Sequence, residues 1–237
     1  SIADYCKNIS NKKIKIIYQN IPKMSLSGAR NLGLKLSKTD IVLFTDVDAI
    51  PNEDWAFELI KTFNFEKKVG VVGGKSLPKW LEEPKWFHKS NIIKEVYSLL
   101  DLGDCIQEVE KVVGVNFGLD KRLIKSEAFF DEKLGRNQGV LLGGEETDLC
   151  RRVNTRGFKV FYNGKAVVYH QVQKSRMNLG WVIKRFYYGG YSRALRGGMP
   201  KTYTNKRNIH DRILFVVILP PYILGYIKSK IVWRKND

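Results

Sequence analysis

The sequence predicts a layered α/β domain followed by a basic helical tail. Three observations carry this reading. Short apolar or β-branched runs alternate with stretches of helical period as far as His170, the pattern of a sheet layered with helices. One of these runs, Ile41–Thr45 (IVLFT), is apolar almost throughout, which suits a strand covered on both faces. After His170 the pattern changes: the last 67 residues hold 14 Lys+Arg and 2 Asp+Glu, so most of the formal charge of +17 lies there.

Composition sets the outer limits. A chain of 237 residues with 43% hydrophobic and 27% charged residues is ordinary for a globular protein, which excludes wholesale disorder and fits one domain with an appendage. Cys6, Cys105 and Cys150 are odd in number and far apart, with no CxxC pair. This argues against a disulfide framework or a structural zinc site and for a reducing compartment.

In chain order, residues 13–19 (KIKIIYQ) alternate and predict a strand. Residues 25–36 have apolar positions at helical spacing, preceded by Pro22 and a serine suited to capping. The strand Ile41–Thr45 ends in Asp46-Val47-Asp48, Pro51 restarts the chain, and residues 54–63 return to helical period. Residues 69–73 predict a short buried strand. Residues 77–104 hold Trp80, Trp86, Phe87 and His88 in a Lys-rich mixture of helices and loops. A strand is expected at residues 113–119, a helix over Glu145–Thr155, and two short strands at residues 159–162 and 167–170. A basic helical tail begins near Asn178.

Within that tail, residues 213–227 (ILFVVILPPYILGYI) are uncharged and bounded by Arg212, Lys228 and Lys230. Fifteen residues fall short of the ~20 that a spanning helix needs, and Pro220-Pro221 interrupts them. The expectation is an interfacial or re-entrant anchor on an anionic membrane surface; the alternative is a helix docked on the protein's own core. A nucleic-acid partner is not expected, because an apolar stretch and acidic clusters do not suit a phosphate groove. No secretory signal is read in residues 1–20, which lack an apolar core of the required length.

Three constellations carry chemistry. Asp46 and Asp48 stand at the carboxyl end of an apolar strand, where open α/β sheets gather ligands, and residues i and i+2 of an extended chain point to one side. Two such carboxylates repel unless a cation lies between them, and Mg²⁺ or Mn²⁺ accepts one or two carboxylates together with substrate phosphate oxygens. A solvated turn before Pro51 is the plainer alternative. Gly143-Gly144-Glu145-Glu146-Thr147-Asp148 opens a helix: the glycines admit a ligand to the backbone, and one of the acids can serve as a general base. The same acids could simply complement the helix dipole. His170, alone at a strand end, is by itself more often a packing or surface residue than a ligand.

Taken in order, SGARNLGL at residues 27–34, IVLFTDVDAIP with Trp55, VVGVNFGLDKRL, and GGEETDLCRRVNTRGFKVFYNGKAVVYH resemble glycosyltransferase family 2. The resemblance implies a three-layer GT-A domain of the Rossmann-like nucleotide-diphospho-sugar transferase type, and an inverting, metal-dependent sugar transfer. It implies that Asp46 and Asp48 hold a divalent metal (Mn or Mg) and through it the donor diphosphate, with His170 completing the metal site. Arg30, Asn31 and Gly144 are expected to flank the donor. Glu146 stands where the family usually has an aspartate, the catalytic base, with Glu145 as the acid before it. The implied partners are a nucleoside diphosphate sugar, a saccharide or lipid-linked acceptor and an anionic membrane, with the protein peripheral or monotopic at the cytoplasmic face.

The family normally opens with a strand, a loop and a second strand ending in an Asp-rich turn. The chain therefore reads as N-terminally truncated, lacking a first βαβ portion. The expected division is residues 1–175 as an incomplete GT-A domain and residues 176–237 as the basic helical tail, with 213–227 its membrane-associating segment. A catalytically inactive membrane scaffold is the rival that such a truncation favours, and a basic nucleic-acid-binding protein the weaker one.

Overall fold

The structure is a computed structural model that describes Asp4, Cys6 and residues 15–21, 23–123, 129–137, 139–198 and 208–234. Its described strands form one mixed sheet: β1 (Ile41–Thr45), β2 (Ala49–Pro51), β3 (Val69–Trp80), β4 (Ile106–Glu108), β5 (Asn116–Asp120) and β6 (Lys159–Val172). The order is β1-β5-β3-β6-β2, with β4 also paired to β6. β3 and β6 run parallel, while β5 is antiparallel to both β1 and β3, and β2 and β4 are antiparallel to β6. The helices are α1 (Leu26–Leu36), α2 (Trp55–Phe63), α3 (Ile93–Val96), α4 (Glu145–Thr155), α5 (Leu179–Leu195) and α6 (Ile209–Arg234).

Local chemistry explains the ends of these elements. Ser25 caps α1 by accepting a hydrogen bond from Gly28 N at 3.1 Å, and Asn178 caps α5 by accepting from Trp181 N at 2.8 Å. Successive residues of β3 serve opposite layers. Val71 joins Leu34, Phe117 and Leu149 beneath α1 and α4, whereas Val72 joins Leu59, Phe63 and Phe161 beneath α2. β1 alternates in the same way, Val42 and Phe44 to one layer and Ile41 and Leu43 to the other. These four remain half-buried because β1 closes one end of the described sheet.

The structure departs from the sequence reading in four places. The described part of the expected first strand, residues 15–19, has no regular secondary structure; residues 13 and 14 lie outside the described residues. β3 runs on to Trp80, because parallel pairing with β6 continues from Lys75↔Val167 to Trp80↔Val172. The two short strands expected after Lys159 are one. The register jumps from Gly74↔Asn163 to Lys75↔Val167, so residues 164–166 bulge and break the apolar pattern without ending the strand. Finally, α6 passes through Pro220 and Pro221 unbroken.

Packing holds α6 together despite its prolines. Leu214, Ile218 and Tyr222 are buried at helical spacing against α5 and the segment around Phe87. Gly190 of α5 lies against the Tyr222 carbonyl and Gly225 of α6 against the Tyr187 carbonyl, each so closely that a Cβ there would collide with backbone. At the start of α6, Asn208 caps Asp211 N at 2.8 Å. The Asp211 carboxylate in turn accepts from Ser90 Oγ and Asn91 N, both at 2.6 Å. The opposite face of α6 is apolar and open, with Val216 72% and Leu224 61% exposed. By length and composition alone, Ile209–Val232 could cross a membrane.

Candidate active site

Asp46 and Asp48 leave β1 in a tight turn, where Ala49 N donates to the Asp46 carbonyl at 3.0 Å. The β2–β6 register then pairs Ala49 with His170, which sets the imidazole beside Asp48. His170 is buried. Its Nδ1 lies 2.7 Å from the Tyr97 carbonyl, an acceptor, so Nδ1 carries a hydrogen. Nε2 faces Asp48 Oδ1 at 3.4 Å. A lone pair and a carboxylate oxygen do not face each other stably, so this geometry calls for a proton or a metal cation between them. A carbonyl holding the far ring nitrogen is also the usual arrangement of a ligating histidine. The second oxygen, Asp48 Oδ2, pairs with Arg176 Nη1 at 3.1 Å. The hydrogen bond from His170 lowers the Asp48 carboxyl below its ordinary range, against the effect of burial. Burial raises Asp46, with the charge of Asp48 acting the same way and Arg30 opposing.

Asp46 Oδ1 lies 3.6 Å from Arg30 Nη2. Among the described residues no three His, Cys, Asp or Glu side chains form a ready metal cage. The donor set of two carboxylates and an imidazole nonetheless suits a hard cation that takes its remaining ligands from phosphate oxygens and water.

Arg30 ties the two acidic clusters together. Its guanidinium donates to Glu145 Oε1 at 2.7 Å and to the Gly114 carbonyl at 2.8 Å, and lies between the rings of Phe117 and Phe130. Arg30 and Glu145 are both buried, and removing either would strand a charge at a cost of about 3–5 kcal/mol. Asn31, one residue further round α1, does not join the site. Its amide clamps the backbone of Phe130, accepting from N and donating to O, both at 2.9 Å.

The second cluster is built on Gly143 and Gly144. Gly144 is the N-cap of α4 at φ +87°, a conformation that favours glycine. Side chains of α5 lie against both glycines: a Cβ on Gly143 would stand 2.8 Å from Arg185 Nη2, and one on Gly144 would stand 2.9 Å from Arg196 Cζ. Ser192 Oγ accepts from Gly143 N at 3.1 Å. Two residues beyond Gly144, Glu146 lines a cavity of about 670 Å³ bounded by α4, α5 and Tyr222 of α6. Burial, together with the charge of Glu145, pushes the Glu146 carboxyl up to about 7, with Arg30 and Arg196 opposing. The paired acids are thus differentiated: Glu145 is locked in an ion pair, and Glu146 is poised to exchange a proton near neutral pH.

Residues 1–125 match the profile described as Glycosyl transferase family 2. The chain belongs to glycosyltransferase family 2. Its α/β architecture is the GT-A fold, and it resembles the crystal structure of GalNAc-T7 with UDP, GalNAc and Mn²⁺, with a TM-score of 0.53 at 13% identity over 83% of this chain and 41% of that one. Over 221 residues it is 24% identical to the glucosyl-dolichyl phosphate glucuronosyltransferase of Haloferax volcanii, covering 90% of this chain and 68% of that protein. Over 165 residues it is 27% identical to the pre-mycofactocin glycosyltransferase of Mycobacterium tuberculosis, covering 69% of this chain and 33% of that protein.

In this family 2 chain several site residues escaped sequence reasoning. Arg176 reaches Asp48, and Arg136 is half-buried close enough to Asp46, Asp48 and Glu145 to feel their charges, though burial holds it below its ordinary value. Arg185, Ser192 and Arg196 reach the glycine loop from what reads as a membrane tail. Their signal was present: Arg185, Gly189, Ser192 and Arg196 recur at three or four residues, one face of a helix.

Proposed function

We propose that the chain transfers a sugar from a nucleoside diphosphate sugar to the hydroxyl of a saccharide or lipid-linked acceptor, with inversion at the anomeric carbon, in cell-surface polysaccharide or glycolipid synthesis. The observation that carries this reading is the division of labour between the two acids of α4: Glu145 is ion-paired and Glu146 is a raised carboxyl facing a cavity. Asp46, Asp48 and His170 would hold a divalent Mn or Mg ion, which when bound would neutralise charge on the departing diphosphate. The Mn²⁺ and UDP in the GalNAc-T7 structure support this assignment for the fold.

The chain's own residues supply the rest. Glu146 takes the acceptor proton as the acceptor oxygen bonds to the anomeric carbon, and the bond from that carbon to the diphosphate breaks with its electron pair leaving on the diphosphate. Arg30, held by Glu145, keeps Asp46 in place, and Gly144 lets the backbone come close to the donor sugar. Glu145 Oε2, buried without a hydrogen-bond partner among the described residues, is available to a sugar hydroxyl. The test is nucleoside diphosphate release from a panel of nucleotide sugars, with and without Mn²⁺. Release with at least one donor, abolished by EDTA, is expected; no release with any donor would leave the inactive scaffold as the better reading.

We assign residues 1–175 to the transferase unit and residues 176–237 to a helical appendage that holds the enzyme at the cytoplasmic face of a membrane, where the free cysteines stay reduced. The open apolar face of α6, flanked by Arg212 and Lys228, supports this, as does the dolichyl phosphate in the name of the Haloferax relative. Each cation near an anionic leaflet contributes about 1 kcal/mol, and each apolar side chain fully buried there roughly 1.5–3 kcal/mol. The full chain should therefore sediment with anionic liposomes. High salt should weaken that binding without abolishing it, since only the ionic part is screened. A chain that stays in the supernatant at low salt contradicts the assignment.

A further inference from the structure

We propose that Arg196 of α5 is a positioning residue for Glu146, the counter-charge that holds the base for its proton-accepting role, so that the helical appendage completes the reaction centre as well as anchoring it. This rests on the transferase reading above and adds to it a residue that acts through Glu146. The observation that carries it is how α5 ends. Arg196 is the C-cap of α5, and its guanidinium lies against Gly144, the N-cap of α4, where a Cβ would stand 2.9 Å from Cζ and 3.1 Å from Nη2. Ser192 ties the same two ends together, its Oγ accepting from Gly143 N at 3.1 Å and its carbonyl accepting from Arg196 Nε at 3.3 Å. The C-terminal end of one helix thus meets the N-terminal start of another, and each end carries the charge that its dipole favours. Glu146 stands in the first turn of α4, and it borders the same cavity as Arg196. Val182 and Phe186 fix α5 in this place, buried in one cluster with Tyr97 and Val172.

The charges around Glu146 leave this role to Arg196. Burial and the charge of Glu145 raise the Glu146 carboxyl, and the cations that oppose them are Arg30 and Arg196. Arg30 is already committed, donating to Glu145 Oε1 at 2.7 Å and to the Gly114 carbonyl at 2.8 Å. Elsewhere on the cavity wall Lys111 pairs with Glu95 at 3.2 Å and Arg151 with Asp148 at 3.0 Å. Glu110, Arg185 and Arg193 complete its charged groups, with Arg185 donating to the Leu141 carbonyl. Cys150, buried beneath α4, has its thiol pushed up to about 12 by burial and carries no charge. Arg196 and Glu146 support each other: burial lowers Arg196, and the charge of Glu146 is the largest influence opposing it. Asp148 acts on Arg196 too, but its two oxygens pair with Arg151 and Arg152.

The test reads Glu146 directly, by carbon NMR of the full chain labelled at its glutamate carboxyls, in detergent, with E146Q identifying the resonance. R196Q should move the Glu146 titration midpoint above its wild-type position of about 7. R196K, which keeps the charge, should restore most of that position. K184Q removes a charge from an exposed position of α5 away from the cavity wall and should leave the midpoint in place. Turnover should follow the titration: R196Q should lose roughly three- to tenfold at pH 7 and recover most of it by about pH 9, as expected when an opposite charge is withdrawn from a carboxylate. An arginine with a merely structural role would lower turnover alike at every pH. R196M, which keeps an apolar stem, takes the place of R196Q if that variant does not fold. An unmoved midpoint in the neutral Arg196 variant would overturn the proposal. So would equal displacement in K184Q, because net charge and not position would then be the cause. A raised midpoint restored by R196K, in a protein that turns over no nucleotide sugar, would support the pairing while overturning the transferase reading. Turnover by the wild type with an unmoved midpoint would do the reverse.

Discussion

Glu146→Gln should lower turnover by roughly 10²–10⁴-fold, the usual range for removing a general base, while leaving nucleotide-sugar binding close to wild type. The expectation follows from position: Glu146 borders the cavity and not the Asp48–His170 pair, so its loss removes a proton acceptor without touching the diphosphate end. Glu145→Gln is a different experiment. It leaves Arg30 buried without its carboxylate partner, so it should cost stability as well as activity. Comparing the two at matched folded fractions tells base from buttress, and a larger loss of turnover in Glu145→Gln would mean that the wrong acid has been assigned.

Acidity sharpens this prediction. Glu146 is held at about 7 in the folded protein, first by burial and next by the charge of Glu145, against an ordinary value of 4.5. Activity that needs the ionised base should rise with pH through about 7. Stability should move the other way: between 4.5 and 7 the folded state binds more protons than the unfolded state, so stability falls as pH rises through that window. Glu146→Gln should flatten this part of the stability profile.

Asp48→Asn should weaken binding of a nucleoside diphosphate with Mn²⁺ by at least about 10²-fold, since even second-shell changes around a metal cost 10–100-fold. Asp48 is the carboxylate that meets both His170 Nε2 and Arg176 Nη1, so its charge is central to the site. Calorimetry with and without EDTA checks this. Equal affinity of the wild type in excess EDTA would mean that the arginines, Arg176 and Arg136, hold the diphosphate without a cation.

Much of the fold was legible in local sequence. Helix α4 and strand β1 match their expected bounds because each is a short element whose signal, a Gly-Gly N-terminus or an unbroken apolar run, lies within its own residues. The length of β6 was not legible, because a bulge at residues 164–166 interrupts its pattern while the parallel ladder with β3 carries it on. Pro220-Pro221 misled for a similar reason: burial of Leu214, Ile218 and Tyr222 offsets the backbone cost that local rules assign to proline. Within the candidate site, Asp48 was singled out from its place at a strand end and His170 only through the family resemblance; the β2–β6 register sets the two side by side. Arg176 and the α5 arginines were missed because a basic helix looks the same in one dimension whether its cations face lipid or a neighbouring loop. Asn31 shows how far one residue can turn a contact. It shares a motif with Arg30, yet one step round the helix turns it to the Phe130 backbone.

In the proposed mechanism a cation joins Asp48 and His170 and carries the donor diphosphate. Anomalous diffraction from crystals grown with Mn²⁺ and a nucleoside diphosphate tests it most directly. One strong manganese peak is expected, coordinated by Asp48 and His170 Nε2, with Asp46 and a diphosphate oxygen among its remaining ligands and Arg176 displaced from Asp48 Oδ2. A diphosphate bound with no manganese between Asp48 and His170, and the Arg176–Asp48 pair still intact, would contradict it.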